Sequence, residues 1–446
     1  MAAFNKDNTY YLYKEHIDNP LHSQTHNQIH NKIHNKIERK QSPFVFPHIL
    51  IKTTVINNQF NQIVKKTIKN SNITNVKNEI NNYYKKEWDI VKKITNPCEM
   101  IYLTNKSHKS YSLSLYEPIS RSYFKMIEML DLFFNNLRKA SRLKVFHLAE
   151  GPGGFIEGML NFRENKNDKL FGITLISGNN SVPGWNKNNR FLNKQTNVNL
   201  ITGFDNRGDL YNINNHYYLI DKFGKHSFDF MTADGGFDFS IDYNLQEELA
   251  SKLIYAEVIL MFSLLNKGGS FICKLFDTYD ELTKQVVFLM FQQFEEVIIY
   301  KPSTSRPANS ERYIICKNYN PISSQTILEL INILNLWNKI DAQNQNTKYH
   351  QIKIEQIIDI EPNTKLFDNY TYFVNQLNTI NTTFEKKQTH NIRQTINLIK
   401  YPPSHRWYRD NINNQIRTAS TWCKRFGVPH KSYIYNLNYK FLYGIK

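Results

Sequence analysis

The sequence predicts a doubly wound α/β fold, in which a mostly parallel sheet carries helices on both faces. Two observations lead to this prediction. Short apolar runs alternate with helical patterns from about residue 101 to 320. Several of the apolar runs also end in a charged residue or a glycine-rich turn, as strands do where their carboxyl ends form a ligand crevice. We expect helical extensions on both sides of this region, at 1–100 and 321–446.

The first of these, residues 1–100, is polar and rich in Asn, His and Lys, and we expect it to be partly helical. His26, His30 and His34 recur every four residues, so a helix would place them on one face, where they could chelate a metal ion. Low-complexity drift is the other interpretation of this tract. Residues 57–93 have apolar residues at helical intervals among many lysines, which predicts one or two basic helices beside the central region.

The central region opens with a helix over 123–130 that carries Lys125, and then reaches the glycine-rich stretch VFHLAEGPGGFIEGML at 145–160. An apolar run that ends in an acid and a Gly-Pro-Gly-Gly turn predicts a buried strand followed by a helix. Glycines let the backbone approach a ligand, and the helix directs its amide groups at the same place, so this turn predicts a nucleotide-ligand site. The spacing differs from G-x-G-x-x-G, which argues against NAD. A purely structural turn is the alternative.

Six further apolar runs complete the predicted sheet, at 170–175, 198–202, 228–233, 270–275, 296–300 and 312–316. Charged residues stand at the ends of three of them: Asp234 follows the fourth strand, Lys274 ends the fifth, and Glu311 precedes the last. Because carboxyl strand ends converge in a doubly wound sheet, we expect these residues and Lys125 to line one crevice.

With these residues in this order, the chain resembles the FtsJ-like family of S-adenosylmethionine-dependent RNA ribose 2′-O-methyltransferases, whose signature is a Lys-Asp-Lys-Glu tetrad. The resemblance covers about residues 101–320 and implies a Rossmann-like, seven-stranded methyltransferase sheet whose last strands form an antiparallel hairpin. It implies S-adenosylmethionine as cofactor and no metal ion. Three local strings resemble the cap-methylating branch, including forms carried by large DNA viruses: GITL at 172–175, VPGW at 182–185 and DGGFDFSIDYN at 234–244.

The resemblance also implies a set of cofactor-binding residues: Glu150, Gly151, Gly153, Gly154, Phe155, Thr174, Asp205 and Asp234. Bacterial-type members of the family place an acid after the second strand to hold the cofactor ribose. Here Thr174 and Leu175 take that place, so the ribose ligand is not assigned. Asp205 resembles the acid that contacts the adenine, and Asp209 is the competing candidate.

The catalytic residues implied by the resemblance are Lys125, Asp234, Lys274 and Glu311. A 2′-hydroxyl is a poor nucleophile at neutral pH, so the enzyme must align it and remove its proton. We expect Lys274 to act as a base or as a cation that stabilises a developing alkoxide, with a pKa lowered by partial burial and by Lys125. Asp234 would orient Lys274, and Glu311 would pair with Lys125 or with the hydroxyl.

A net charge of +17, with 56 basic against 39 acidic residues and 14% aromatic residues, favours a nucleic-acid partner. AT-rich codon usage is the alternative explanation of the charge. Residues 57–93 could help to hold RNA phosphates. The tail at 401–446 interleaves basic and aromatic residues, which suits single-stranded RNA, whereas a helical domain could bury the same rings. The residues concerned are Arg406, Trp407, Tyr408, Arg409, Trp422, Lys424, Arg425, Phe426, Tyr433, Tyr435 and Tyr439.

These observations favour an RNA ribose 2′-O-methyltransferase that acts on the cap-proximal nucleotide of mRNA, with capped RNA and other capping or transcription proteins as partners. Ribosomal or transfer RNA methylation and an inactive RNA-binding subunit are the alternatives. Four widely spaced cysteines, no signal pattern and no membrane-spanning run predict a soluble, intracellular protein without a metal site. For a viral protein we expect the host cytoplasm, in replication factories, and the virion.

Overall fold

The computed structural model describes residues 8–14, 52–57, 72–103, 111–178, 182–185, 189–236, 243–346, 350–432 and 434. The histidine tract at 26–34 lies outside these ranges, as do Tyr433, Tyr435 and Tyr439 of the tail and residues 237–242 of the string that follows Asp234. No helix within the described ranges is long and apolar enough to span a membrane.

The described strands are β1 (Thr9–Leu12), β2 (Lys52–Asn57), β3 (Lys144–Leu148), β4 (Lys169–Ile173), β5 (Val198–Ile201), β6 (Phe228–Ala233), β7 (Leu265–Leu275), β8 (Phe294–Tyr300), β9 (Arg312–Tyr319) and β10 (His350–Gln356). Eight of them form one sheet in the order β1-β8-β9-β7-β6-β3-β4-β5. β3 to β9 are the seven strands predicted from the sequence. The strand count was nevertheless wrong by one, because β1 joins the sheet from the N-terminal extension and pairs with β8. β2 and β10 form a separate antiparallel ribbon, which the sequence analysis did not predict.

The sheet is mostly parallel, as predicted. β5, β4, β3, β6 and β7 run in the same direction, and β9 is antiparallel to its neighbours β7 and β8. The chain proceeds outward from β3 to β5 on one side and from β6 to β7 on the other. The order of the strands therefore reverses between β3 and β6, which is where ligands bind in sheets of this kind.

The described helices are α1 (Asn72–Ile80), α2 (Lys85–Ile94), α3 (Ser122–Phe133), α4 (Gly154–Arg163), α5 (Asn189–Leu192), α6 (Ile213–Phe223), α7 (Gln246–Leu264), α8 (Glu281–Gln293), α9 (Ser324–Asn346), α10 (Lys365–Lys400) and α11 (His405–Arg425). Short 3-10 turns cover Glu99–Ile101 and Asn135–Lys139. α3 includes the predicted helix with Lys125, and α4 is the helix predicted after the glycine-rich turn.

The sheet separates two hydrophobic cores, one on each face. On β3, Phe146 and Leu148 belong to one core and Val145 to the other, as expected because successive side chains of a strand point to opposite faces. The first core contains side chains of α7, α8, α9 and α10. The second contains those of α3, α4 and α11. The helices after residue 320 therefore complete both cores of the sheet.

Three of the described aromatic residues of the C-terminal tail lie in the second core. Tyr408, Trp422 and Phe426 are buried, and Trp422 packs edge-on against Phe124 of α3 at 5.7 Å between ring centroids. These three rings are therefore unavailable for stacking on RNA bases. The basic residues of the same segment are exposed: Arg406, Arg409, Lys424 and Arg425.

Candidate active site

The structure brings the four residues predicted to be catalytic together as two ion pairs. Lys125 Nζ on α3 lies 2.7 and 2.8 Å from the two carboxylate oxygens of Glu311, which stands directly before β9. Lys274 Nζ on β7 lies 3.3 Å from Asp234 Oδ1 and donates a hydrogen bond of 2.7 Å to the Asp234 carbonyl oxygen. Strand direction explains this second contact, because β6 and β7 are parallel neighbours and both residues stand at the carboxyl ends.

The two pairs also interact with each other electrostatically. Burial alone would raise the pKa of Glu311, but the positive charges of Lys125 and Lys274 outweigh it and lower that pKa to about 2. Burial alone would lower the pKa of Lys274, but the carboxylates of Asp234 and Glu311 outweigh it, and that pKa is raised. The prediction that Lys274 has a lowered pKa was therefore wrong. Its carboxylate partners act more strongly than burial and Lys125.

Two hydroxyl groups that the sequence analysis did not single out complete the site. Tyr313 Oη donates to Asp234 Oδ1 at 2.8 Å, and Ser305 Oγ donates to Glu311 Oε1 at 2.7 Å. Tyr313 is the residue of β9 that pairs with Lys274 on β7. The available signal was its position two residues after Glu311, which places it on the same side of an extended chain.

The loop that carries Ser305 and Glu311 is fixed by a partly buried lysine. Lys301 Nζ donates to the carbonyl oxygen and to Oδ1 of Asn309, at 2.8 and 2.7 Å, and to the carbonyl oxygen of Glu311 at 2.7 Å. Burial lowers the pKa of Lys301 to about 7, although Glu311 acts in the opposite direction. The lysine thus connects the start of the loop to its end.

A buried carboxylate holds the other side of this loop. Glu128 on α3 accepts hydrogen bonds from Tyr300 Oη at 2.6 Å, Ser303 N at 2.7 Å and Thr304 Oγ1 at 3.1 Å. It also accepts one from Trp422 Nε1 of α11 at 3.1 Å. The C-terminal helix is therefore connected to the loop before Glu311 through a single carboxylate.

The glycine-rich turn presents an acid at the end of β3. Glu150 Oε1 accepts a hydrogen bond from the backbone nitrogen of Phe155, at the start of α4. Its second oxygen is buried, and no described residue donates to it. Burial and the nearby Asp234 carboxylate raise the pKa of Glu150 well above its ordinary value. A buried hydrogen-bond acceptor that has no donor destabilises the protein. Glu150 therefore suits a ligand that brings an amine or hydroxyl group as the donor.

The glycines of this turn are required by the protein itself. A Cβ on Gly151 would lie 1.9 Å from the carbonyl oxygen of Pro183, and one on Gly154 would lie 2.1 Å from Ser122 Oγ. Gly153 has φ of 113°, in the region that favours glycine. Close packing of neighbouring segments therefore explains Gly151 and Gly154, and the backbone conformation explains Gly153. The predicted approach of a ligand to them stays a prediction.

The remaining predicted cofactor residues lie in loops after β4 and β5. Thr174 Oγ1 accepts a hydrogen bond of 3.1 Å from Gly151 N. Asp205 Oδ1 accepts from the backbone nitrogens of Arg207 and Gly208 at 2.9 and 3.1 Å. Burial raises the pKa of Asp205, but these bonds and those of the Asn215 and Asn212 side chains outweigh it and lower that pKa. Asp209 Oδ1 accepts from Tyr211 N at 2.9 Å. Both candidate acids thus shape local turns, and their adenine contacts stay predictions.

A further acid, Glu257, lies beneath the site on α7. Its Oε2 is 3.7 Å from Sγ of Cys273, the residue before Lys274. Its Oε1 lies against Gly235, where a Cβ would approach it to 2.3 Å. Burial raises the pKa of Glu257 to about 8, although Lys274 acts in the opposite direction. No local pattern in the sequence points to this residue, because it stands within an apolar helix.

Among the described residues, no group of three His, Cys, Asp or Glu side chains could hold a metal ion. The four cysteines, at positions 98, 273, 316 and 423, are all buried and unpaired.

A doubly wound sheet with an antiparallel final strand and an acid at the end of its first parallel strand is the architecture of a Rossmann-like methyltransferase. Residues 118–319 match the model of the FtsJ-like methyltransferase family, so this part of the chain is similar to an FtsJ-like methyltransferase domain.

Several curated relatives share this domain. The cap-specific mRNA (nucleoside-2′-O-)-methyltransferase 1 of Homo sapiens is 34% identical over 186 residues, which are 40% of this chain and 22% of that protein. The protein of the same name from Drosophila melanogaster is 32% identical over 201 residues, 44% of this chain and 25% of the relative. The match therefore spans only about a quarter of the length of these relatives.

Solved structures resemble the fold more distantly. A ribosomal RNA methyltransferase of Plasmodium falciparum has a TM-score of 0.34 and 19% identity, over 46% of this chain and 99% of that one. Spermidine synthase from Thermotoga maritima has a TM-score of 0.29 and 14% identity, over 45% of this chain and 62% of that one. Scores this low do not bear on function.

Proposed function

We propose that this protein transfers a methyl group from S-adenosylmethionine to a ribose 2′-hydroxyl of RNA, at the cap-proximal nucleotide of mRNA. The observation that carries the proposal is the pair of lysine–carboxylate contacts, Lys125–Glu311 and Lys274–Asp234, at the strand ends of an FtsJ-like domain. The names of the curated relatives support the choice of a capped mRNA. Capping or transcription proteins are the partners that such a substrate implies.

The residues around the strand ends fit the proposed cofactor. Glu150 has a buried oxygen that no described residue satisfies, and the amino group of a methionine moiety would donate to it. Asp234 would contact the same end of the cofactor, and Thr174 and Asp205 would line the ribose and adenine. Phe204, beside Asp205, is 63% exposed and offers a ring against which an adenine could stack. The bound cofactor would supply an electrophilic methyl group.

The protein's own task is to hold the hydroxyl and to remove its proton. Since the pKa of Lys274 is raised, its side chain is a cation at neutral pH and donates hydrogen bonds but accepts none. We infer that Lys274 donates to the 2′-oxygen and holds it in line with the methyl group. The hydroxyl proton would leave to the carboxylate of Asp234, which already lies 3.3 Å from the lysine nitrogen.

The second ion pair would position the ribose. Glu311 stays ionised because its pKa is lowered to about 2, so it accepts hydrogen bonds over the whole physiological range. Ser305 and Lys125 occupy part of its accepting capacity, at 2.7 Å each. We infer that Lys125 and Glu311 together orient the hydroxyl and its neighbouring phosphate, while Lys274 and Asp234 act on the proton.

The test is a methyl-transfer assay with the full chain and labelled S-adenosylmethionine. The substrates are one RNA with a methylguanosine cap, the same RNA with a 5′-triphosphate, and transfer and ribosomal RNA transcripts. We expect label in the cap-proximal nucleotide of the capped RNA, located by nuclease mapping. Equal label on capped and uncapped RNA would indicate an internal ribose target. Absence of label on every RNA, with S-adenosylmethionine still bound, would overturn the proposal and leave an RNA-binding subunit.

A further inference from the structure

A cleft outside the active site is lined by seven uncharged polar residues and by the apolar side chains of Ile94, Pro97 and Trp407. It has a volume of about 220 Å³ and lies between the end of α2 and one face each of α10 and α11. Among the described residues that line it, five carry carboxamides and none is charged; the carboxamides are those of Asn391, Gln394, Asn411, Asn414 and Gln415. We call this site the amide cleft. Trp407 forms part of its wall and is only partly buried.

Three of the carboxamides donate to backbone carbonyl oxygens, and that of Asn391 bonds within its own helix, to the carbonyl oxygen of Lys387 at 2.7 Å. Gln415 Nε2 donates to the carbonyl oxygens of Lys93, Ile94 and Asn96, at 2.9, 3.0 and 2.7 Å. Asn411 Nδ2 donates to the carbonyl oxygen of Ile94 at 2.9 Å. These bonds close the carboxyl end of α2 and hold the floor of the cleft in place. Asn414 and Gln394 are exposed at its mouth.

The lining chemistry selects the class of ligand. A carboxamide offers a donor and an acceptor side by side, which is the pattern that base edges present and that Asn and Gln recognise in nucleic acids. A charged ligand would meet no opposite charge there, and an apolar ligand would remove the amides from water without compensation. A tryptophan face beside such groups suits an unstacked base, because bases stack on aromatic rings in single-stranded RNA.

The volume of the amide cleft and the basic residues near its edge indicate the same ligand. Pockets for drug-sized molecules enclose roughly 300 Å³ or more, so a cleft of about 220 Å³ accommodates a single base rather than a dinucleotide. Arg406 and Arg417 are exposed on α11, one residue before Trp407 and one before Thr418 of the lining. Eleven residues apart, they lie on the same side of the helix, where guanidinium groups could contact phosphates.

We propose that the amide cleft binds one unstacked base of single-stranded RNA, with phosphates of the same strand on Arg406 and Arg417. The choice of RNA as the polymer rests on the proposed function, but binding is measured without methyl transfer. The cleft would fix the path of the RNA strand along the C-terminal helix, outside the reaction centre.

The experiment measures binding of a fluorescent 12-nucleotide single-stranded RNA to the full chain by anisotropy. Trp407→Leu removes the stacking face, and we expect affinity to fall about tenfold, as for the loss of one stacked base. Asn414→Ala removes an exposed carboxamide and should weaken binding several-fold. Asn413→Ala, an exposed asparagine of the same helix outside the cleft, is the matched control and should bind normally. Thermal unfolding of each variant shows that the fold is retained.

Two further readouts separate base binding from charge. The slope of log affinity against log salt should stay unchanged in Trp407→Leu and Asn414→Ala, and should fall by about one in Arg406→Gln. An oligomer of the same length without bases should bind equally to the unchanged protein and to Trp407→Leu.

Equal affinity of Asn414→Ala, Trp407→Leu and Asn413→Ala for the intact RNA would overturn the proposal. A protein that binds in the expected way but transfers no methyl group would instead refute the proposed function alone.

Discussion

At the scale of single residues, Lys274 is the side chain whose environment most constrains the chemistry. Its amine is held by the carbonyl and the carboxylate of Asp234, and a Cβ on Gly236 would lie 3.0 Å from the nitrogen. An arginine would not fit this space, and alanine would remove the cation. We therefore expect Lys274→Arg and Lys274→Ala each to lose transfer by about a hundredfold or more, measured on an RNA that the unchanged protein methylates.

The matched control for these variants is Lys267→Ala, which replaces an exposed lysine at the other end of the same strand and should leave transfer unchanged. Calorimetry should show nearly normal cofactor affinity in both Lys274 variants. If Lys274→Ala transferred methyl groups at close to the normal rate, the role assigned to this lysine would be wrong.

Tyr313 provides a test of Asp234 that leaves every charge in place. Tyr313→Phe removes a hydrogen bond to a carboxylate, which should reduce kcat about tenfold if the orientation of Asp234 matters. Tyr319→Phe is the control, since Tyr319 is equally buried on β9 but donates to the carbonyl oxygen of Phe262, away from the site. Both variants should lose about 1 to 3 kcal/mol of stability. Equal kcat in the two variants would show that the Tyr313 hydroxyl serves stability only.

Glu257 should make the stability of the protein depend on pH. Burial raises its pKa to about 8 from an ordinary 4.5, so between these pH values the folded chain holds a proton that the unfolded chain has released. The resulting stabilisation is fully present below pH 4.5 and is lost as the pH rises through about 8. Glu257→Gln stays neutral, so its stability relative to the unchanged protein should increase from pH 5 to pH 9, measured by urea denaturation.

The other buried acids contribute equally to the stability of Glu257→Gln and of the unchanged chain, so the difference between the two reports the pH dependence that Glu257 alone causes. Glu295→Gln, at an exposed glutamate of β8, should show no such trend. A stability difference that is constant from pH 5 to pH 9 would mean that Glu257 is ionised throughout.

Residues whose roles follow from a local sequence pattern could be predicted, and residues whose roles depend on contacts between distant segments could not. Lys125, Asp234, Lys274 and Glu311 each stand in a local pattern, at a strand end or on a short helix, so the sequence could place them in one crevice. Tyr313 and Glu257 gain their roles from contacts between segments, and neither residue type is unusual in a strand or an apolar helix. The pKa of Lys274 was predicted in the wrong direction because it depends on distances to two carboxylates, which a sequence does not supply.

At the scale of secondary structure, the seven strands β3 to β9 were predictable because each contains apolar residues between turn residues. β1 was not, since Thr9–Leu12 is held by backbone hydrogen bonds to β8, almost three hundred residues further along the chain. The same holds for β2 and β10, whose partners are equally distant. Local pattern thus identified the strands that make the core, and missed those that depend on a distant partner.

The C-terminal helix α11 offers a prediction at this scale. Trp422→Phe keeps the packing against Phe124 but removes the donor to Glu128, the carboxylate that also holds Ser303 and Thr304. We expect a loss of about 1 to 3 kcal/mol in the free energy of unfolding, measured by thermal or urea denaturation. Thr421→Ala, an exposed neighbour, is the control. Unchanged stability in Trp422→Phe would show that α11 is held by packing alone.

At the scale of the whole molecule, the family match ends at residue 319 but the hydrophobic cores continue beyond it. Phe373 of α10 packs against Phe288 and Phe291 of α8, each at 5.2 Å between ring centroids. A chain cut after residue 320 would expose this surface to water. We expect it to aggregate or to lose the cooperative unfolding of the full chain, measured by circular dichroism. A monomeric, cooperatively folded 1–320 fragment would contradict this.

The strand β1 has a practical consequence for handling this protein. It occupies the outer side of β8, whose backbone amides and carbonyls would otherwise face solvent as an open template for another chain. Proteolytic trimming of residues 1–14, or a bulky affinity tag that displaces Thr9–Leu12, would uncover that template. Preparations trimmed in this way should self-associate through edge-to-edge pairing, so tags belong at the carboxyl end of the chain.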